Sequence, residues 1–370
     1  MRKVSRQFGT NWFTVIMGVG IVAGLLFTSP IPIPFGHAVA MSIFALLNVI
    51  FLIALALWIG RWVWHFRESL QDFKEPGKAL FYGALAMGIN VVGNDYLFIG
   101  PSIMPEHLAL TLSKSLWIAG TVISLFTVLT VPYLLFVNHR MEQEETHASW
   151  LIPVVPTIVA AATGLNLLPY FHSASVKFDL TALDLAMFGM TVFLFIMISG
   201  LFYARLVYHR RLDGSLAPGV WIEIGPIGMS MATFATLPHA TQSILAPYTT
   251  ALHAIGLVFA IAMWGVGIWW IVIASLFTVL HVSDPRSKIP YNLGWWSYVF
   301  PLGSFTNGTY AVYHLTNQPF FAYTSLIQFI VLCGFFSVVF ARTLHGVWNG
   351  SLLRWRRTHW HPYHEQKAAS

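Results

Sequence analysis

The amino-acid sequence predicts an all-α integral membrane protein of ten transmembrane helices. Three observations carry that expectation. First, only 9% of the 370 residues are charged and 56% are hydrophobic, against about 25% charged in a soluble domain. Too few charges remain to cover a water-facing surface, so an array of soluble domains is excluded. Second, ten segments are apolar over the roughly 20 residues that a membrane span requires. Third, the basic residues fall in alternate connections between those segments. The net charge of +6 therefore reads as membrane orientation rather than as affinity for nucleic acid.

The first span, Trp12–Phe27, follows a basic leader that resembles a signal peptide. No small-residue cleavage site follows it, so it reads as an uncleaved helix. The remaining spans are His37–Trp64, Ala79–Phe98, Leu108–Val137, Trp150–Tyr170, Leu180–Tyr208, Pro218–Ser243, Ala251–His281, Leu293–His314 and Phe321–Val347. The transmembrane domain is expected to occupy residues 1–352. A basic, His-rich cytoplasmic tail is expected over 353–370.

With the N-terminus inside, the inner connections hold Arg2, Lys3 and Arg6; Arg61, Arg67, Lys74 and Lys78; Arg140; Arg205, Arg210 and Arg211; Arg286 and Lys288; and Arg342, Arg354, Arg356, Arg357 and Lys367. The outer connections hold Lys114 and Lys177 alone. A miscounted helix would scramble this partition. It therefore supports ten spans, both termini in the cytoplasm and a multi-pass location in the plasma (inner) membrane.

The even-numbered spans end near the inner face with a histidine: His65, His139, His209, His281 and His345. A repeat of that length is one helical hairpin, so the chain reads as five hairpins in series. The negative end of each helix accounts for these imidazoles without a sensing role.

Helix breakers favour the odd spans, which hold Pro153, Pro156, Pro226, Pro238 and Pro301; the even spans hold only Pro132. Glycines follow the same pattern, with Gly18, Gly20 and Gly24, then Gly83, Gly88 and Gly93, then Gly225 and Gly228, then Gly294, Gly303 and Gly308. Broken backbone survives at membrane depth only when it is buried in protein or lines a watery cavity. The odd helices are thus expected to form an inner layer around a path, and the even helices a jacket against the lipid bilayer. No carboxylate ring suited to cations appears, and no Lys or Arg lies at mid-membrane. A neutral path with exposed N–H groups suits small anions held weakly. Asp95 and Glu223 are the ionisable exceptions, either as proton-coupling groups or as interfacial residues.

Several chemistries find no support. Gly18-Val-Gly-Ile-Val-Ala23 fits a dinucleotide fingerprint but lies within an apolar helix instead of after a strand. His361-Pro-Tyr-His364 is too sparse for a metal site. No catalytic, metal or cofactor constellation is present, so an enzyme is not expected.

Residues Asn11–Ile21 (NWFTVIMGVGI) and Asn292–Gly303 (NLGWWSYVFPLG) resemble the first and ninth helices of the tellurite-resistance/dicarboxylate transporter family. Pro153–Ala161 resembles its fifth helix and Gly225–Gly228 its seventh. The family embraces TehA, the plant slow anion channels, the fungal malate permeases and the fungal sulfite efflux pumps. The resemblance implies a quasi-fivefold arrangement of the hairpins around a central pore, and a homotrimer. It implies transport of four-carbon dicarboxylates such as malate, or alternatively sulfite or tellurite efflux or proton-coupled anion transport. It places the gate at Phe300. Gly18, Gly20, Asn90, Gly93, Pro153, Pro156, Gly225, Gly228, Pro301 and Gly303 would line or shape the path, with Asp95 or Glu223 as the coupling group.

Overall fold

The computed structural model describes residues 2–138, 141–284 and 289–352. The expected tail, together with His139, Arg140, Arg286 and Lys288, lies outside the described residues. Among the described residues all regular structure is helical. Each of the ten predicted segments contains one principal helix. These are α1 (Phe13–Phe27), α2 (Gly36–Trp64), α3 (Tyr82–Phe98), α4 (Glu106–Asn138), α5 (Pro156–Leu167), α6 (Ala174–Tyr208), α7 (Ile224–Ala240), α8 (Thr249–Ser283), α9 (Phe300–Thr316) and α10 (Pro319–Trp348).

Seven helical stretches are long and apolar enough to cross a membrane: Thr10–Phe27, Gly36–Trp64, Glu106–Asn138, Ala174–Tyr208, Gly214–Ala240, Ala246–Ser283 and Pro319–Trp348. The other three principal helices are shorter, at 17 residues for α3, 12 for α5 and 17 for α9. They lie inside the molecule, with most of their residues buried.

Two layers follow from burial. In an 18-residue apolar window of each long stretch, 67% of Thr10–Phe27 and 89% of Gly214–Ala240 is buried, against 17–33% for the even helices. With α3, α5 and α9, those two make an inner layer of odd helices. The even helices turn rows of Leu, Ile, Val and Phe outward, such as Leu52, Val122, Phe193, Val258 and Ile327. A helix surface of that kind is stable only against hydrocarbon.

Proline explains where the structure departs from the predicted spans. The fifth, seventh and ninth read as single spans carrying helix breakers; each is interrupted before its α-helix. Short 3-10 segments occupy Ala148–Leu151, Gly214–Glu223 and Leu293–Tyr298, and the α-helix starts only afterwards. Pro156 opens α5, and Pro301 is the second residue of α9. Proline lacks an N–H and is at home in a first turn, where that donor has no intrahelical partner. Pro132 lies within α4, which runs on through it. Helix α6 starts at Ala174 rather than near 180, because Ser173 caps it by accepting from the Val176 N–H.

Close approach of small residues joins the inner helices, as expected where lipid removes the hydrophobic drive for helix association. A Cβ at Gly228 would lie 2.3 Å from the Phe305 backbone nitrogen, and one at Gly308 2.5 Å from the Gly228 carbonyl oxygen. Helices α7 and α9 therefore meet backbone to backbone.

Candidate functional site

Three cavities succeed one another through the inner layer. At the end carrying the N-terminus lies a charged cavity of about 740 Å³, lined by Arg6, Arg61, Glu68, Asp72, Glu75 and Lys78, among others. Its charges are mutually paired. Arg61 meets Asp72 at 2.6 Å, Lys78 meets Asp72 at 3.2 Å and Glu75 at 2.8 Å, and Arg6 meets Glu68 at 2.9 Å. Donation from Arg6 holds the Glu68 carboxyl below its ordinary range. The Arg61 guanidinium also donates to the Arg6 carbonyl, which pins the short helix Arg2–Gln7 against α2.

Phe81 is on the wall of this cavity and also on that of the next. The second cavity is narrow, about 40 Å³, and almost wholly apolar. Each odd segment contributes: Thr14 and Met17 from α1, Ala84 and Met87 from α3, Ile152 and Val155 ahead of α5, Gly225 and Pro226 from α7, and Phe300 and Pro301 from α9. The proline breaks thus set the first turns of α5, α7 and α9 around one space. The leading N–H groups of a helix have no partner within it and carry the positive end of its dipole. An apolar wall with no fixed cation interacts with anions only weakly.

The third cavity is wide, about 680 Å³, and takes in the C-terminal halves of all five odd helices. Phe300 separates the narrow cavity from the wide one and lines both, at 5% exposure. The wide cavity is polar where the narrow one is not. Asn94, Asp95, Thr163, Asn166 and Asn307 are on its wall, and Asn166 donates to the Asn94 side chain at 3.1 Å.

The residues singled out from sequence divide into two groups. Phe300, Gly225, Pro301 and Asp95 are on cavity walls. The others hold the inner helices together. Gly18 accepts the Trp296 ring, Gly20 faces Val91 and Asp95, and Gly303 faces Ile21. Gly93 lies against α4, where Ser113 donates to its carbonyl. Pro153 follows the Ile152 carbonyl on which Gly83 packs, and the Pro156 carbonyl accepts from Ser124. Asn90 turns away from the cavities toward α4, 3.4 Å from Ser124 Oγ.

The two acidic candidates part company. Asp95 is 2% exposed, lies across the glycine face of Gly20 and Gly24, and its Oδ2 has no hydrogen-bond partner. Glu223 ends the 3-10 segment before α7 and faces α6, where Ser199 donates to it. Besides Asp72 of the charged cavity, the structure adds a further buried acid that periodicity did not single out. Asp184 on α6 is packed on Gly164 of α5, with both oxygens lacking a partner. Its sequence signal was a lone Asp in an apolar run. The wall residues Asn94, Asn166 and Asn307 carried the same kind of signal, an isolated Asn toward the C-terminal end of an odd span.

The chain is similar to known transporters over most of its length. The chain is 27% identical to an uncharacterised transporter of Methanocaldococcus jannaschii, covering 95% of this chain and 96% of the relative. It is 29% identical to the sulfite efflux pump SSU1 of Trichophyton rubrum, covering 94% and 93% respectively. A tellurite resistance protein TehA homolog from Haemophilus influenzae is 24% identical, with 78% and 83% covered. Residues 7–344, which include all the inner helices, match the family described as SLAC1, voltage-dependent anion channel, and the chain belongs to that family.

Proposed function

We propose that this protein passes small inorganic oxyanions of the sulfite type along the line of the three cavities, with Phe300 as the closure between the narrow and wide ones. The observation that carries the reading is the placement of Phe300 on both walls, at the head of a helix whose start is fixed by Pro301. The ten helices would all span the bilayer as five hairpins in quasi-fivefold order around this line. The charged cavity would face the cytoplasm.

The relatives named as sulfite efflux pumps favour sulfite over malate.

The test is flux into proteoliposomes of sulfite, nitrate, chloride and malate. Sulfite and nitrate are expected to pass and malate to lag. Phe300→Ala should raise anion flux by roughly tenfold or more, as removal of a plug would. Unchanged flux from a folded variant would remove Phe300 from the gate.

Asp95 favours a second reading, proton-coupled transport. An unpaired carboxylate at membrane depth is costly when charged, and an ionised Asp95 would repel the anion passing it. Asp95→Asn should abolish the response of flux to an imposed pH gradient, while Glu223→Gln, off the cavity wall, should leave it in place. A flux that ignores the gradient in the parent protein would rule coupling out.

A further inference from the structure

The wide cavity poses an electrostatic difficulty for an anion path. All five odd helices run toward it, so the wall includes residues from the last turns of each: Thr28 after α1, Phe98 of α3, Asn166 of α5, His239 of α7 and His314 of α9. A helix C-terminus carries about half a negative charge. Asp95 adds a carboxylate. An anion leaving the narrow cavity, which is surrounded by helix N-termini, therefore meets the opposite potential.

Among the lining residues of the wide cavity there is no Lys or Arg. The side chains able to become cationic there are three histidines from three helices: His239 on α7, His253 in the first turn of α8, and His314 on α9. All three are exposed. His239 and His314 stand in the last turns of their helices. The other titratable groups on this wall are Asp95 from α3 and Tyr310 from α9; α1 and α5 contribute none. The Tyr313 ring lies against His314 at 5.3 Å. Asn307 and Asn317 supply further polar side chains to the same wall.

The geometry points to the wide cavity as an oxyanion-binding vestibule whose attraction comes from His239, His253 and His314 when they are protonated. The inference rests on the anion path proposed above and adds a ligand site to it. Imidazoles change charge between pH 5 and 8. Acidification on the side of the wide cavity would turn a wall that repels anions into one that concentrates them, and neutral pH would release them. Permanent cations would hold the anion instead of letting it leave.

Nitrate is a suitable probe because it stays a monoanion across this range. The protein in detergent would be titrated with nitrate, against gluconate, at pH 5.5 and 7.5. Binding would be followed by the rise in melting temperature that any ligand of the native state produces. Apparent nitrate affinity is expected to be roughly tenfold higher at pH 5.5, as close cationic charge would give. The triple substitution His239→Gln, His253→Gln, His314→Gln should remove that increase. His239→Lys with His314→Lys, whose charges persist at pH 7.5, should make nitrate binding strong at both values.

Two results would overturn the vestibule: nitrate binding that is independent of pH in the parent protein, or an increase that survives in the triple variant. If the triple variant does not fold, the lysine pair decides, and an unchanged pH response there also overturns it. Nitrate flux in proteoliposomes is measured in parallel. Histidine-dependent binding without flux would refute the conduction reading and leave the vestibule standing. Flux without histidine-dependent binding would do the reverse.

Discussion

Phe300 and its neighbours show how narrow the tolerance is on the inner helices. Gly225 faces the narrow cavity, and a Cβ there would lie 3.7 Å from Pro301, an ordinary contact. Gly228, one turn on, has no such room, because its would-be Cβ meets the Phe305 backbone. Gly225→Ala should therefore change the melting temperature little but lower anion flux by narrowing the cavity. Gly228→Ala should cost about 1–3 kcal/mol or more, since backbone cannot step aside. A melting scan of both variants checks the contrast, and equal melting temperatures would contradict the backbone contact.

The buried ion pair near the charged cavity belongs at the same scale. Arg61 and Asp72 are 8% and 6% exposed. Lys78, 3.2 Å from Asp72, still compensates the carboxylate when Arg61 is removed, so Arg61→Ala should cost less than the about 3–5 kcal/mol of stranding a buried charge. It should also free the N-terminal helix, which proteolysis of the purified protein would report as faster cleavage near residue 7.

At the scale of elements, the connection ahead of α5 carries a pH-dependent contribution. Burial, and to a smaller extent the Arg205 charge, pushes the His147 pKa down to about 4. The folded protein thus keeps His147 neutral while the unfolded chain protonates it near pH 6.5. Between those values the unfolded state binds more protons, so stability falls as pH drops from about 6.5 toward 4, by up to about 1.4 kcal/mol per pH unit. His147→Gln should flatten that part of the stability curve. A variant that follows the parent below pH 6.5 would show that other groups cause the loss.

The two layers are also an element-scale result. Leu, Phe and Trp on the even helices made them legible as lipid-facing, and Pro and Gly marked the odd helices as the inner layer. Where each odd helix restarts was not legible. Proline at 153, 156, 218 and 301 announced a disturbance, but a continuous helix with a kink accommodates proline as well as a fresh start does. Only the packing of the 3-10 segments against one another decides between them.

For the whole molecule, the partition of basic residues predicts sidedness. With Cys333 replaced by Ser, a single cysteine introduced as Arg67→Cys should react with an impermeant thiol reagent only from the cytoplasm. A cysteine introduced as Lys177→Cys should react only from outside. Labelling of both from one side would refute the proposed topology. Membership of the SLAC1 family agrees with the motifs Asn11–Ile21 and Asn292–Gly303, which were readable because aromatic and glycine residues in fixed order are rare in an apolar run.

The sequence by itself determined the membrane class, the helical segments, the preference of breakers for odd helices and the family resemblance, because each depends on composition or spacing along one chain. The tertiary structure decided what faces what. It separated Asp95, on a cavity wall, from Glu223, turned toward Ser199. It moved Asn90 and Gly93 from the path to the contact with α4. It brought Asp184 onto Gly164, and His239, His253 and His314 onto one wall. Facing depends on how far each helix is rotated about its axis. In a helix hydrophobic on every side no amphipathic stripe records that angle, so it is set by contacts between helices distant in sequence.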